Sequence, residues 1–441
     1  MDSSRDRLDD VAPLFSERQD VNLLRPARAG VLAILLSLTA FAEEPSAILS
    51  AVDARDVGAL ERALGSRSAA PDELALASGV LLALRGRDDE AATALSRSAH
   101  RTSSADAVRR RAFAALVDVR LRQGRYAQAA TAGNEAIKLG DTSTDIAMNR
   151  DFAAALRSVI PMTGGATRRE EIETKRDAAG LPRASLTVNG ETVQAIVDTG
   201  ASFSTLNAST AVRLHARLVG PGVTVKSSSS DAVTARLAVA AKLNIGSVQF
   251  ENVVFIVFPD AALSFADGAY TIDAIVGLPI LRGLRRLEFA DGEKDRGHLR
   301  LGPAPQAVKA DANLMLDGLQ PIALVGVDGT DLPLRMLVDT GADKTQLKQL
   351  AVRDFPKLGP SGTLDSLRIG GAGAVAVQQA APAISKLTLS VSGAAVSLSD
   401  VPVLASTSPV LHGVLGQDLL NSQHGYTVDF DAMRITLGNA P

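Results

Sequence analysis

The sequence predicts a multidomain chain: all-α helical hairpins first, then an all-β bilobal region built from two similar units. Three observations carry this. Apolar residues recur at three- and four-residue steps up to about Ile160. Beyond Leu181 the texture becomes short alternating runs punctuated by Gly and Asn. And the phrase Val197-Asp198-Thr199-Gly200-Ala201 returns as Val338-Asp339-Thr340-Gly341-Ala342, 141 residues later. The resulting division is 1-42 as a leader, 43-165 helical, 166-302 and 303-441 as the two β lobes.

Composition limits what such a chain can do. Of 441 residues, 46% are hydrophobic and 22% charged, enough apolar material for several cores. Aromatics reach only 3% and Trp is absent, so those cores must rely on Ala, Val, Leu and Ile. A net charge of −3 argues against nucleic acid as the main partner, because phosphate binding needs clustered Lys and Arg. Without cysteine there is no disulfide, thiol nucleophile or Cys-based zinc site. The five histidines are scattered without ligand spacing, so no metal and no cofactor is expected.

Near the start, Arg25 and Arg28 precede the apolar run Ala29 to Ala42, which ends Ala40-Phe41-Ala42 and is followed by Glu43-Glu44. A basic start, a short apolar centre and a small-residue end read as a signal peptide, hence an exported protein, periplasmic or secreted. The long polar stretch before it departs from that pattern. A retained membrane anchor and a buried core helix stay open as alternatives.

In the helical part, Val108, Ala112, Ala115 and Val119 line one face, Gln123-Gly124 breaks the pattern, and Tyr126, Ala129 and Ala130 resume it. An earlier copy breaks at Gly86, 38 residues before Gly124. This helix, Gly turn, helix pattern resembles tetratricopeptide-type repeats, which implies a face for a protein partner. The plainer alternative is a helical cap on the domain that follows.

The two β lobes correspond over most of their length. "LTVNGETVQAIV" leads into Asp198 as "VGVDGTDLPLRMLV" leads into Asp339. Each then has a strand, turn, strand segment, an apolar pair, and a Gly: Gly277 lies 79 residues after Asp198, and Gly416 lies 77 after Asp339. Matched flanks at matched distances mark an internal duplication. An isolated Asp-Thr-Gly is an ordinary turn, since Asp and Gly are both turn formers.

These residues resemble the aspartic peptidases, and the form Asp-Thr-Gly-Ala resembles the retropepsin-like branch, here of bacterial type with two lobes in one chain. The resemblance covers about residues 181 to 441. It implies an aspartic endopeptidase acting on a peptide or protein substrate, with Asp198 and Asp339 as the catalytic pair. It implies loop support from Thr199, Gly200, Ala201, Thr340, Gly341 and Ala342, with the threonine hydroxyls gripping across the lobes. It also implies covering flaps, with tips at Ser228 and Ser229 in the first lobe and at Gly370, Gly371 and Gly373 in the second.

The chemistry fits the residue types. Two carboxylates a few ångströms apart cannot both ionise easily, so they share a proton. The ionised one activates water and the protonated one polarises the carbonyl. One departure stands out: the Arg that such proteins often carry after the later Gly is replaced by Leu278-Pro279 and Gln417-Asp418, leaving Asp343 without its expected partner. A non-catalytic peptide binder and a repeat-based scaffold are the competing readings. Whether the lobes pair within one chain or across a homodimer is left open by the sequence.

Overall fold

The computed structural model describes residues 46–65, 69–227, 232–305, 311–372, 374–406 and 408–438. The expected leader, 1-42, lies outside them, as do the flap candidates Ser228, Ser229 and Gly373. Among the described residues no helix is long and apolar enough to cross a membrane.

Among the described residues seven helices come first: α1 (Ala47–Ala54), α2 (Val57–Leu64), α3 (Pro71–Leu84), α4 (Asp88–His100), α5 (Asp106–Arg122), α6 (Tyr126–Lys138) and α7 (Thr144–Ala155). Starts are set by local chemistry. The side chains of Ser46, Asp56 and Ser143 accept the N–H groups of Leu49, Ala59 and Ile146, which a helix leaves unsatisfied. Pro71 opens α3, where a missing N–H costs nothing. Gly86 and Gly124, at φ 70° and 66°, turn α3 into α4 and α5 into α6 in a left-handed conformation that suits glycine. Scarce aromatics have a structural consequence: the helices pack close. A Cβ on Gly79 would lie 2.8 Å from Leu95, so this crossing has no room for a larger residue.

The first lobe begins with β1 (Thr163–Gly164), β2 (Glu170–Arg176), β3 (Pro182–Val188), β4 (Glu191–Val197) and β5 (Ser204–Asn207). After α8 (Ala208–Arg213) come β6 (Arg217–Val225), β7 (Val233–Ile245) and β8 (Val248–Phe258). Next are β9 (Ser264–Phe265), β10 (Tyr270–Thr271), β11 (Ala274–Val276), α9 (Leu278–Gly283), β12 (Arg286–Asp291) and β13 (Arg296–Gly302).

The second lobe repeats the plan with β14 (Leu314–Asp317), β15 (Gln320–Val327), β16 (Leu334–Val338), β17 (Gln346–Lys348) and α10 (Gln349–Asp354). It closes with β18 (Gly362–Gly371), β19 (Ala374–Val391), β20 (Ala394–Leu404), β21 (Gly413–Leu415), α11 (Gln417–Leu420), β22 (Gly425–Asp429) and β23 (Arg434–Leu437).

Pairing closes each lobe into a six-stranded barrel. In lobe 1 the ring runs β3, β4, β11, β5, β8, β7 and back to β3. In lobe 2 it runs β15, β16, β21, β17, β20, β19 and back to β15. Closure removes exposed strand edges. It also explains why β4 stops alternating: Ala195, Ile196 and Val197 are all buried because β11 lies alongside them in parallel.

A sheet outside both barrels joins the lobes, in the order β2, β13, β12, β22, β23. Its central pairing, Arg286–Asp429 through Ala290–Gly425, links a lobe 1 strand to a lobe 2 strand. Phe289 and Tyr426 stack there at 4.6 Å, and Arg286 reaches the buried carboxylates of Asp429 and Glu288 at 3.3 and 3.4 Å. Buried charge survives only when so paired.

Candidate active site

β4 and β16 each deliver an aspartate to the same place. The Asp198 N–H donates to the Val276 carbonyl at 3.0 Å and the Asp339 N–H to the Leu415 carbonyl at 3.2 Å. The parallel neighbours β11 and β21 therefore hold the strand ends. Each side chain then closes its own turn. Asp198 Oδ1 accepts from the N–H groups of Gly200 (2.8 Å) and Ala201 (3.1 Å), and Asp339 Oδ1 accepts from Gly341 at 2.9 Å.

Below the carboxyls, two threonines cross between the lobes. Thr199 Oγ1 donates to the Val338 carbonyl at 2.5 Å and accepts the Thr340 N–H at 3.2 Å. Thr340 Oγ1 donates to the Val197 carbonyl at 2.6 Å and accepts the Thr199 N–H at 3.0 Å. Both side chains are fully buried, so two hydroxyls, two N–H groups and two carbonyls satisfy one another away from water. The glycines are required by the same approach. A Cβ on Gly200 would stand 2.5 Å from Asp339 Cγ, and one on Gly341 would stand 2.4 Å from Asp198 Cγ. Ala201 and Ala342 follow at half-buried positions, and their carbonyls accept the N–H groups of Leu278 and Gln417, both at 2.8 Å.

The two carboxyls hydrogen-bond to each other and remain partly exposed on the upper side of the loops. Burial pushes both above the ordinary carboxylate range. Asp339 rises further because the Asp198 charge and their shared hydrogen bond add to its burial. For Asp198 that bond and the turn N–H groups oppose the effect of burial. The two carboxyls therefore titrate as a pair, with Asp339 raised the more.

Several supporting residues were not singled out from the sequence. Ser204 and Thr345 each stand six residues after their aspartate, and their hydroxyls accept the N–H groups of Gly277 and Gly416 at 3.1 Å. Aligning the halves at the aspartates would have found them. Asp343 is exposed and gives only its carbonyl, to the Asp418 N–H at 3.2 Å. Arg176 on β2 braces the residue that stands in place of the missing Arg, without reaching Asp343. It donates to Gln417 Oε1 at 3.1 Å, while Gln417 Nε2 holds the Thr340 carbonyl at 2.9 Å. No sequence signal marked that contact.

Of the flap candidates, Gly370 and Gly371 are described. Gly370 and Gly371 end β18, where Gly371 pairs with Ala374. A Cβ on Gly370 would be 3.9 Å from Phe265 of lobe 1, so this hairpin reaches the opposite lobe. In lobe 1 the arms of β6 and β7 flank the undescribed serines, and β6 lies along α7. Gly220, at φ 60°, leaves only 2.4 Å between its Cβ position and the Ala155 carbonyl. Lys226 pairs with Asp145 at 2.5 Å.

Two closed barrels presenting paired Asp-Thr-Gly loops define a retropepsin-like, bilobal aspartic-protease fold behind an N-terminal helical region. Residues 184–280, the core of lobe 1, match the model of the family "Aspartyl protease"; the second barrel, outside that match, repeats its topology. A solved structure described as a retropepsin-like aspartic protease from Rickettsia conorii is similar at 18% identity, over 32% of this chain and 95% of that one, with a TM-score of 0.21. No curated protein matches the chain.

Proposed function

We propose that the protein is a single-chain aspartic endopeptidase of an exported compartment, hydrolysing peptide bonds through a water activated by Asp198 and Asp339. The observation that carries this reading is the pair itself: two carboxyls in hydrogen-bond contact, partly exposed, on loops locked by Thr199 and Thr340. Ionised Asp198 takes a proton from water as its oxygen attacks the peptide carbonyl carbon. Asp339 gives its proton to the carbonyl oxygen, so a neutral gem-diol forms. Collapse returns a gem-diol proton to Asp339, and Asp198 protonates the leaving nitrogen as the C–N bond breaks. Because both lobes of one chain supply the pair, the active unit is a monomer.

Asp198→Asn or Asp339→Asn alone should lower cleavage of an unfolded protein by roughly 10²–10⁴-fold. A statine-type hydroxyl mimic should inhibit the unmodified enzyme. Substantial activity in either variant rejects the shared pair. Intact substrate with the unmodified enzyme at every pH from acid to neutral would leave a peptide-binding protein as the reading.

A further inference from the structure

The two short helices behind the aspartate loops are not braced alike. α11 carries Gln417, which Arg176 holds from the inter-lobe sheet. At the matching position α9 has Leu278, which has no polar side-chain atom to be held. The brace of α9 comes instead from the helical region, and the same group of residues reaches lobe 2.

Arg122 ends α5 with a side chain only 2% exposed. Its Nε donates to Asp88 Oδ1 at 2.9 Å, its Nη2 to the Ala83 carbonyl at 3.1 Å, and its Nη1 to the Gly318 carbonyl at 2.7 Å. Gly318 sits in the turn between β14 and β15, the hairpin that precedes β16 and Asp339. The other Asp88 oxygen, Oδ2, accepts from Arg282 Nη1 at 2.8 Å, and Arg282 Nη2 donates to the Gly86 carbonyl at 3.3 Å. Arg282 is on α9, whose first N–H holds the Ala201 carbonyl three residues after Asp198. A single carboxylate therefore ties a lobe 1 element directly and a lobe 2 element through one guanidinium. Burial works against the Asp88 charge, but the charges of Arg122 and Arg282 outweigh it and hold the carboxyl below its usual range. A second tie to the same turn runs from Arg55 Nε to Asp317 Oδ1 at 2.9 Å.

We propose that Asp88 and Arg122 are positioning residues: the helical region is an intramolecular clamp that pins α9 of lobe 1 and the β14–β15 turn of lobe 2 to one point, and so sets how closely the two aspartate loops meet. The clamp's effect on turnover rests on the peptidase reading above. Its effect on the ordering of α9 and the turn does not. A misplacement of about 1 Å between reacting groups costs on the order of 10²-fold, so a slackened clamp should act on turnover rather than on substrate binding.

The test compares the full-length protein with Asp88→Asn, Arg122→Gln and Arg282→Gln, reading kcat and KM separately and following amide exchange in the segments 278–283 and 314–320. The expected result is a kcat lowered roughly 10- to 100-fold with KM within about twofold, and exchange faster by about tenfold in both segments for Asp88→Asn, in 278–283 for Arg282→Gln and in 314–320 for Arg122→Gln. The double variant Asp88→Asn/Arg282→Gln should cost little more than Asp88→Asn alone, because Asp88→Asn already cuts the tie to Arg282. Arg282→Gln removes only the lobe 1 arm, so it decides the question if the more deeply buried changes prevent folding. Variants that fold with unchanged kcat and unchanged exchange overturn the clamp. If the unmodified protein cleaves nothing, the peptidase reading fails, and the exchange measurement alone upholds or overturns the clamp.

Discussion

In lobe 1, Ser204 receives the Gly277 N–H, and among the described residues no further side-chain bond ties it to the following helix, where Pro279 stands. In lobe 2, Thr345 receives the Gly416 N–H and also gives its own N–H and hydroxyl to Asp418, at 2.8 and 2.7 Å. The barrels are the same ring of six strands, and the aspartate loops are near copies. What differs is the support outside the ring: Arg176 and Asp418 behind lobe 2, Asp88 and Arg282 behind lobe 1. A duplicated unit carries its own closed core and turn chemistry with it. Contacts to elements present once cannot be copied, and there the two halves diverge. The same asymmetry reaches the carboxyls, where Asp339 is raised further than Asp198 by the Asp198 charge and their shared hydrogen bond.

The symmetric part of this comparison can be broken most severely at the glycines. Gly200→Ala and Gly341→Ala each drive a methyl into the opposite carboxyl, so both should lower kcat by on the order of 10²-fold or more. A tolerated change on one side would mean that the loops do not approach as described.

Next in size come Thr199→Val and Thr340→Val. Each leaves a buried carbonyl and a buried N–H of the other lobe without partners. At about 1–2 kcal/mol per orphaned group, urea unfolding should show a loss of about 2–4 kcal/mol, nearly equal for the two. Unequal losses would locate a lobe difference inside the grip itself.

The proton asymmetry makes a prediction with a definite sign. Asp339 has a folded pKa raised above its unfolded value by burial and the Asp198 charge. Its protonated form therefore adds stability that is complete below the unfolded pKa and is lost as pH rises through the folded one. Asp339→Asn should equal the unmodified protein in Tm near pH 3 and exceed it at neutral pH. A Tm advantage confined to acid would reverse the assignment.

The smallest effect is expected at Asp118, beside the Gly318 turn. Burial and the nearby Asp317 charge push its carboxyl up to about 6, against the opposing charges of Arg55 and Arg122. The sign is the same: stability is present below the unfolded value near 3.8 and fades as pH passes about 6. Asp118→Asn should raise Tm at pH 7.5 and leave it unchanged at pH 4.

Legibility followed the range of the contact. The helical turns at Gly86 and Gly124 were readable because a left-handed turn leaves its mark in one residue. Both aspartates, with their threonines and glycines, were visible because the words repeat. Ser204 and Thr345 were within reach of the same repetition and were passed over. Arg176 carried no mark, since an Arg at the end of a charged strand reads as surface. Lobe 1 also differed from the simplest expectation of a free hairpin: β6 lies against α7, which nothing in its Gly-Pro-Gly stretch announced.

By itself, the sequence determined two β units, each with an aspartate at the end of an apolar strand, behind a set of Ala-rich helices. Periodicity, turn residues and repetition are local properties and survive without a fold. Only the tertiary structure decided that the two carboxyls meet, that burial and their contact raise Asp339 further than Asp198, and that Asp88 and Arg176 brace opposite halves. Those outcomes depend on partners 194 and 241 residues apart, Asp88 with Arg282 and Arg176 with Gln417. Burial creates the energetic penalty that such pairs must offset, and burial exists only once the barrels have closed and joined.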